Sequence, residues 1–400
     1  MKTHDFIEIE RNLWEMKTAL LGYGVVGSGV HALTKARPEH GVTIARVLVR
    51  RDIEAIRAIA TRDFNEIVSD PSIETVVEVM GGEEPALSYV KAALRAKKNV
   101  VTANKLMLSL HYAELISLAR ENGAHLAFSA AVGGGIPWLT NLLRVARVDS
   151  VESLGGIMNG TTNFILTAMQ QGGADFAETL AEAQRLGYAE ADPTADIDGL
   201  DVRAKLALSC DAAFSQMADA AAVPALGIRH ITAADVALFR QLGLTCRLIG
   251  KAERTEAGVA AYVEPTLFAA DAPEAGVNGT GNVISFRCTG LGAQSFFGLG
   301  AGQSPTASAV MQDLIDTSAG TTAFHLARCN GAFIPDASSA RHAYYLRTAA
   351  ALPVGLAVRP LGKTPAGNAC ITKPLPVSAL HALVQDCLAV GGSAFAAGLA

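Results

Sequence analysis

The sequence predicts an α/β protein built on a Rossmann-type parallel sheet, followed by an α+β second domain. Three observations carry that prediction. From Lys17 onward, short apolar runs alternate with helix-like stretches, the pattern of a parallel sheet with right-handed crossovers. The first run, Thr18-Ala19-Leu20-Leu21, feeds directly into Gly22-Tyr23-Gly24-Val25-Val26-Gly27 and then a helix, the setting that a dinucleotide-binding turn requires. Beyond Pro137 the character changes to long Ala- and Leu-rich helical segments interleaved with strands.

Taken in order, a helix is expected over 28–35, strands over 42–49 and 75–80, a helix over 85–96 and a strand over 99–102. In the second domain, helices are expected over 176–186 and 201–214, with strands over 260–265 and 283–288. A glycine-rich turn from Gly298 to Gly302 then opens a helix running through Asp313. Such a turn before a helix faces a cofactor, so the chain is expected to return to its first domain there. The tail has three short strand-like pieces and a helix over 377–390. The expected organisation is an N-terminal tail over 1–16, a nucleotide-binding domain over 17–137 plus 300–340, a substrate-binding and dimerisation domain over 138–299, and a tail over 341–400.

Composition excludes several classes. Half of the 400 residues are hydrophobic and 18% are charged, against disorder, and the net charge of −5 comes without a Lys/Arg cluster for nucleic acid. No apolar run is long enough to span a bilayer, and Asp5, Glu8, Glu10 and Arg11 interrupt the start where a secretory signal would be apolar. The six cysteines are dispersed without a CxxC pair, which offers neither a zinc signature nor a disulfide framework and fits a reducing cytoplasm.

The glycine fingerprint has a physical division of labour. Gly22 permits the tight turn, Gly24 lets the backbone approach a pyrophosphate, and Gly27 allows close helix–strand packing. The second strand sets cofactor choice: an acid at its end would bind the ribose 2′-OH of NAD, whereas Arg accommodates the phosphate of NADP. Here the strand ends in Val49-Arg50-Arg51 and Asp52 comes late, so NADP is favoured over NAD. The competing reading is two arginines on a solvated face.

Residues 183–205 are the most informative segment. Glu190, Asp192, Asp196, Asp198 and Asp201 lie in a stretch broken by Pro193 and Gly199. Asp201 falls at a helix start and Lys205 one turn later on the same face. Alone, that is an ordinary surface ion pair. The apolar run after it, Leu206-Ala207-Leu208, implies a buried helix, and a buried Lys needs a reason. Reducing an aldehyde supplies one, because the developing alkoxide needs a proton and a Lys in a dry site has a lowered pKa. Lys105 follows the strand ending at Thr102, at the carboxyl edge of the sheet where ligands bind. A second ammonium nearby would lower both pKa values further. The acids suit the α-ammonium group of an amino-acid substrate.

Segment 183–205 closely resembles the signature of the homoserine dehydrogenases. Gly155-Gly156-Ile157-Met158-Asn159-Gly160, Val132-Gly133-Gly134-Gly135-Ile136-Pro137 and the 300–310 segment resemble the same family, over about residues 17–340 in all. The resemblance implies that Lys205 donates and accepts the proton and that Lys105 lies between nicotinamide and substrate. It implies that Glu190 and Asp201 hold the substrate with Asp196. Tyr23, Gly24, Val25, Val26, Arg50, Gly81, Thr102 and Gly302 would line the cofactor, with Gly187 at the edge of both sites. A homodimer through the middle domain is also implied, and the substrate would be homoserine or aspartate 4-semialdehyde.

One departure bears on a metal. Relatives carry a Glu three residues before the Val of the VGGG segment, where this chain has Ser129. The carbonyls of Val132, Gly134 and Ile136 remain, but the anionic ligand of a Na+-like ion is missing. Two rival functions compete with this reading. Aspartate-semialdehyde dehydrogenase would need a nucleophilic Cys near a His, and no Cys lies in the glycine-rich or Lys-bearing segments. A catalytically silent NAD(P)H sensor would have no reason to keep Lys105, Glu190, Asp201 and Lys205 together. A kinase-sized N-terminal extension is lacking, so the fused aspartokinase form is not expected. The tail opens with Arg341-His342-Ala343-Tyr344-Tyr345-Leu346-Arg347, which resembles the first strand of an ACT regulatory domain. The usual first helix is missing before the next strand, expected over 356–360. This short ACT-like remnant would leave part of a sheet face to pack on the core or a partner, and inhibition by threonine through the tail is not expected.

Overall fold

The computed structural model describes residues 15–326, 332–350 and 355–400. Most of the expected N-terminal tail, Cys329 and the stretch where a first tail helix was expected to be missing (351–354) lie outside the described residues.

The first half is built from β1 (Met16–Leu21), α1 (Val25–Ala36), β2 (Val42–Leu48), β3 (Ala60–Thr61), α2 (Asn65–Val68), β4 (Thr75–Glu78), α3 (Ala86–Arg95), β5 (Asn99–Thr102), α4 (Lys105–Glu121) and β6 (Leu126–Ala127). Its six strands are all parallel in the order β3-β2-β1-β4-β5-β6. Leu20, Leu21, Val76, Val77, Val100 and Val101 are fully buried, because helices cover both faces of a parallel sheet. The order reverses between β1 and β4, and at that switch point the carboxyl ends open a crevice for a ligand. The turn after β1 and the loops after β4 and β5 all border it.

The second half contains α5 (Trp138–Val145), β7 (Val151–Ile157), α6 (Gly160–Gly172), α7 (Phe176–Arg185), α8 (Thr194–Ile197), α9 (Leu200–Phe214), β8 (Met217–Ala218), α10 (Ala233–Gln241), β9 (Leu244–Thr255), β10 (Gly258–Ala269), β11 (Gly281–Cys288) and β12 (Gly292–Leu299). The chain then re-enters the first half as α11 (Gln303–Ser318), which packs along α1, with Gly29 against Ala307 and Gln303. The two crossings between halves touch each other: Gly135 N–H donates to the Leu299 carbonyl at 3.2 Å. A Cβ on Gly134 would lie 2.5 Å from the Gly300 carbonyl carbon, so the close approach requires glycine.

The tail adds β13 (Ala332–Phe333), β14 (Arg341–His342), β15 (Tyr344–Thr348), β16 (Ala357–Thr364), β17 (Gly367–Thr372), β18 (Leu375–Pro376), α12 (Val377–Ala389) and β19 (Ala394–Leu399). Four of these strands extend the middle sheet, giving nine strands in the order β12-β11-β7-β9-β10-β19-β15-β17-β16. One face of the tail strands packs Tyr344 and Leu346 against Leu380 and Val384 of α12. The other face is closed by α10 of the core. There Phe239 meets Tyr345 edge-on at 4.7 Å, and fully buried Arg347 pairs with buried Asp235 at 2.8 Å. Tyr345 also donates to Asp235 at 2.6 Å. The face that an ACT-like remnant would leave open thus packs on the core of the same chain.

Candidate functional site

Three elements converge beside the crevice. Helix α9 starts after Gly199, whose φ of +79° ends the preceding loop and is a conformation that favours glycine. Its first turn carries Asp201, and Lys205 sits one turn on. Lys205 Nζ donates to Asp201 Oδ2 at 2.6 Å and to the Met158 carbonyl at 2.6 Å, with only 8% of its side chain exposed. From α4, the Lys105 ammonium lies 3.1 Å from Asp201 Oδ1 with 39% of its side chain exposed. From the N-cap of α6, Asn159 Nδ2 donates to Asp196 Oδ1 at 2.7 Å and to Asp201 Oδ2 at 2.9 Å.

This geometry separates the two lysines. Burial pushes Lys205 below its ordinary value and outweighs the pull of Asp201, with Lys105 adding to the fall. Lys105 goes the other way: Asp201 outweighs burial and raises it, helped by Asp196 and Glu190. The expected mutual lowering therefore holds for Lys205 alone, because Lys105 faces three acids from a wetter position. Burial works to raise Asp201, yet the Lys205 and Lys105 ammoniums hold it well below the usual carboxylate range. Asp196 is raised, chiefly by burial. Of the five acids in the signature loop, Asp192 accepts the Thr194 N–H and Asp198 pairs with Arg229, outside the site. Glu190 and Gly187 are exposed at its rim.

The nucleotide crevice has the expected glycine geometry. Gly22 takes φ +101°, and a Cβ on Gly27 would lie 2.3 Å from the Gly22 carbonyl oxygen. A Cβ on Gly24 or Gly81 would meet nothing within 4 Å, so these two present open backbone to a ligand. The N-cap of α1 is Gly24, with no side-chain cap, which leaves the first N–H groups to an anion. Val25 is 65% exposed toward solvent, Tyr23 and Val26 are half-buried, and Gly302 is exposed at the start of α11. Tyr23 Oη lies 2.9 Å from His31 Nδ1. Arg50 is exposed at the end of the second strand, while Asp52 is engaged by Arg62 at 2.9 Å. Thr102 ends β5, and its buried hydroxyl donates to Glu78 at 2.6 Å.

Known proteins match the chain in sequence and in fold. A family model described as homoserine dehydrogenase matches residues 137–315, and one described as homoserine dehydrogenase, NAD binding domain, matches residues 22–129. The homoserine dehydrogenase of Bacillus subtilis is 38% identical over 312 residues, spanning 75% of this chain and 72% of that protein. The chain belongs to the homoserine dehydrogenase family. A crystal structure of the Thiobacillus denitrificans homoserine dehydrogenase superposes with a TM-score of 0.85 at 33% identity, over 96% of this chain and 98% of that one. A hyperthermophilic archaeal homoserine dehydrogenase in complex with NADPH superposes at 0.66 with 25% identity, over 76% and 98% of the two chains. The chain is accordingly an oxidoreductase with a nicotinamide cofactor, catalysing reversible reduction of L-aspartate 4-semialdehyde to L-homoserine in threonine and methionine biosynthesis.

Sequence reasoning missed three contributors. Asn159, which bridges two acids, carried the ordinary signal of an N-cap, since its side chain accepts the Thr162 N–H. The Met158 carbonyl lies in the 155–160 segment, but as a backbone group it carries no residue-type signal. Glu78 reads as one acid ending an apolar strand. The VGGG segment does not fit a carboxylate-bearing cation site. Ser129 occupies the acidic position, and its N–H and hydroxyl both donate to the Asp313 carboxylate, at 2.9 and 2.6 Å. The Ile136 carbonyl accepts the Trp138 N–H at 2.7 Å. Burial pushes Asp313 up to about 7, and among the described residues no cluster of three metal-binding side chains forms.

Proposed function

We propose that Lys205 carries the proton of this family's reaction, that Lys105, Asp201, Asp196 and Glu190 hold the substrate, and that NADP is the preferred cofactor. The observation that supports this most is the single buried carboxylate of Asp201 set between two ammonium groups of opposite pKa behaviour. When bound, the nicotinamide gives or takes the hydride. Lys205, the drier ammonium, delivers its proton to the carbonyl oxygen of the aldehyde as the alcohol forms, and takes it back from the homoserine hydroxyl in reverse. Asp201 keeps Lys205 oriented, and the Met158 carbonyl fixes a second of its protons. Lys105 stays charged at the mouth of the site and stabilises the oxygen on which charge develops. The raised Asp196 and exposed Glu190 receive the α-ammonium group of the substrate.

Arg50 supports NADP because it stands unpaired by Asp52 at the strand end that meets the ribose. The structural relative with NADPH is consistent with that choice. We read the protein as a cytoplasmic homodimer without nucleic-acid or membrane partners. Among the described residues no helix is long and apolar enough to cross a membrane, and the described cysteines are free. A groove of about 590 Å³ over β7, β9, β10 and β11 offers a middle-domain face to a second copy. Oxidation of homoserine with NADP, followed by NADPH absorbance, tests the reading. Faster turnover with NAD would refute the cofactor assignment, and light scattering reports the dimer.

A further inference from the structure

We propose that Glu78 is a positioning residue for the reaction: its carboxylate locks the loop after β4 to the loop after β5 and thereby sets Lys105 against Asp201. This rests on the placement of Lys105 argued above. Glu78 ends β4 and is fully buried, and among the described residues it forms no ion pair. In the sheet it pairs with Leu21 of β1 and Thr102 of β5, and the rest of its surroundings there, Val76, Val77, Val100 and Val101, are apolar and buried. A carboxylate in such a place is costly unless its oxygens are fully engaged.

They are engaged from two sides. Oε1 accepts the Met80 N–H at 2.8 Å, the Gly81 N–H at 3.3 Å and Asn104 Nδ2 at 3.4 Å. Oε2 accepts the Thr102 hydroxyl at 2.6 Å. Thr102 Oγ1 in turn accepts the Asn104 N–H at 3.0 Å, and Asn104 Nδ2 donates to the Gly82 carbonyl at 2.7 Å. Asn104 also caps α4 by accepting the Met107 N–H at 3.1 Å. Directly after that cap comes Lys105, the first residue of α4.

One carboxylate therefore fixes the open Gly81 backbone on the cofactor side and the start of the helix that carries Lys105. An apolar residue would fill the space but join neither loop. An amide would keep one acceptor and turn a donor toward groups that already donate. Lys105 needs such support because an ammonium at a helix N-terminus is disfavoured by the dipole, against the inward pull of Asp201 with Asp196 and Glu190 behind it.

The test uses the full-length enzyme with Glu78→Gln and, should that variant lose its fold by circular dichroism, Asn104→Ser, which retains a helix cap while removing the links to Glu78 and Gly82. We expect kcat for homoserine oxidation to fall roughly ten- to a hundredfold, the scale of a misplacement of about 1 Å. NADPH affinity, read by nicotinamide fluorescence without turnover, should weaken as the Gly81 loop loosens. In a Lys105→Ala background the same change should lower kcat by less than about twofold, since residues acting through one another are not additive. A kcat in Glu78→Gln within about twofold of the parent overturns the proposal, as does an undiminished loss in the Lys105→Ala background. Failure of the parent enzyme to oxidise homoserine would instead overturn the functional reading, and the NADPH titration would still report on Glu78.

Discussion

Replacing Lys205 by Ala separates proton transfer from every other job of the site. The substitution removes a side chain that donates to Asp201 and to the Met158 carbonyl, each at 2.6 Å. Loss of a positioned proton carrier costs about two to four orders of magnitude in kcat, or roughly 3–5 kcal/mol of barrier at 1.36 kcal/mol per factor of ten. Removing one partner of a buried ion pair costs about 3–5 kcal/mol of stability when the other charge is stranded. Asp201 is not stranded, because Lys105 at 3.1 Å and Asn159 at 2.9 Å remain. The stability loss should therefore stay nearer the roughly 1–3 kcal/mol of an unsatisfied buried group, and the variant should fold and bind NADPH as the parent does. The pH profile gives the sharper check. Burial sets the pKa of Lys205 below its ordinary 10.5. As pH rises through that lowered value Lys205 loses its proton, so homoserine oxidation, which needs the free amine, gains. Aspartate semialdehyde reduction, which needs the ammonium, declines over the same range. Both limbs should vanish in Lys205→Ala. Stopped-flow absorbance at the NADPH band in each direction measures them. A variant with kcat within about tenfold of the parent, or with the same alkaline limb, would refute the assignment.

Lys105→Met should shift that alkaline limb upward, because Lys105 contributes to lowering Lys205; an unmoved limb in the pH–rate profile would mean the two ammoniums do not interact. Arg50→Ala should weaken NADP binding far more than NAD binding, since only NADP offers a 2′-phosphate for a charge-assisted bond; equal losses in fluorescence titrations count against Arg50 as the reader of that phosphate. Threonine should leave the intact enzyme's kinetics unchanged, because α10 fills the face of the tail sheet opposite α12. Inhibition in initial-rate assays would show an effector pocket elsewhere in that sheet.

The nucleotide half was legible because its signals are local. A buried strand, a glycine turn and a helix start occupy adjacent residues, and Gly22, Gly24 and Gly27 take the packing and exposure that their spacing implies. The Asp201–Lys205 contact was legible for the same reason, being four residues apart on one helix. Asn159 and Met158 were not, since they reach Asp201 and Lys205 across more than forty residues, a distance on which periodicity is silent. The raised pKa of Lys105 was also beyond sequence, because its sign depends on three acids outweighing burial. In the tail, propensity anticipated three strand-like pieces where six strands form over 341–400, and it missed their neighbour: Arg347 meets Asp235 across 112 residues, and the helix that closes the sheet belongs to the preceding domain. Deleting residues 341–400 would remove Tyr345 and Arg347 from Asp235, leaving its carboxylate only the capping contacts of Thr232, and would expose β10, so the tail acts as part of the middle sheet rather than as an appendage.

The proposed roles rest on an asymmetry that burial imposes on two ammoniums sharing one acid. Asp201 touches both ammoniums, so its charge alone would raise both. Burial decides between them. Lys205 sits on a helix that is buried almost all round, where the cost of keeping a charge exceeds what Asp201 returns, and its proton becomes transferable. Lys105 sits at a helix start bordering the crevice, where water lowers that cost and Asp196 and Glu190 add to the pull, and its proton stays. Groups of the same type pushed apart in pKa by their surroundings are the physical basis for assigning different roles. Exchanging the roles would require moving either α9 out of the core or the start of α4 into it. The division therefore follows from the fold, and Glu78, which fixes where α4 begins, holds one of its two terms in place.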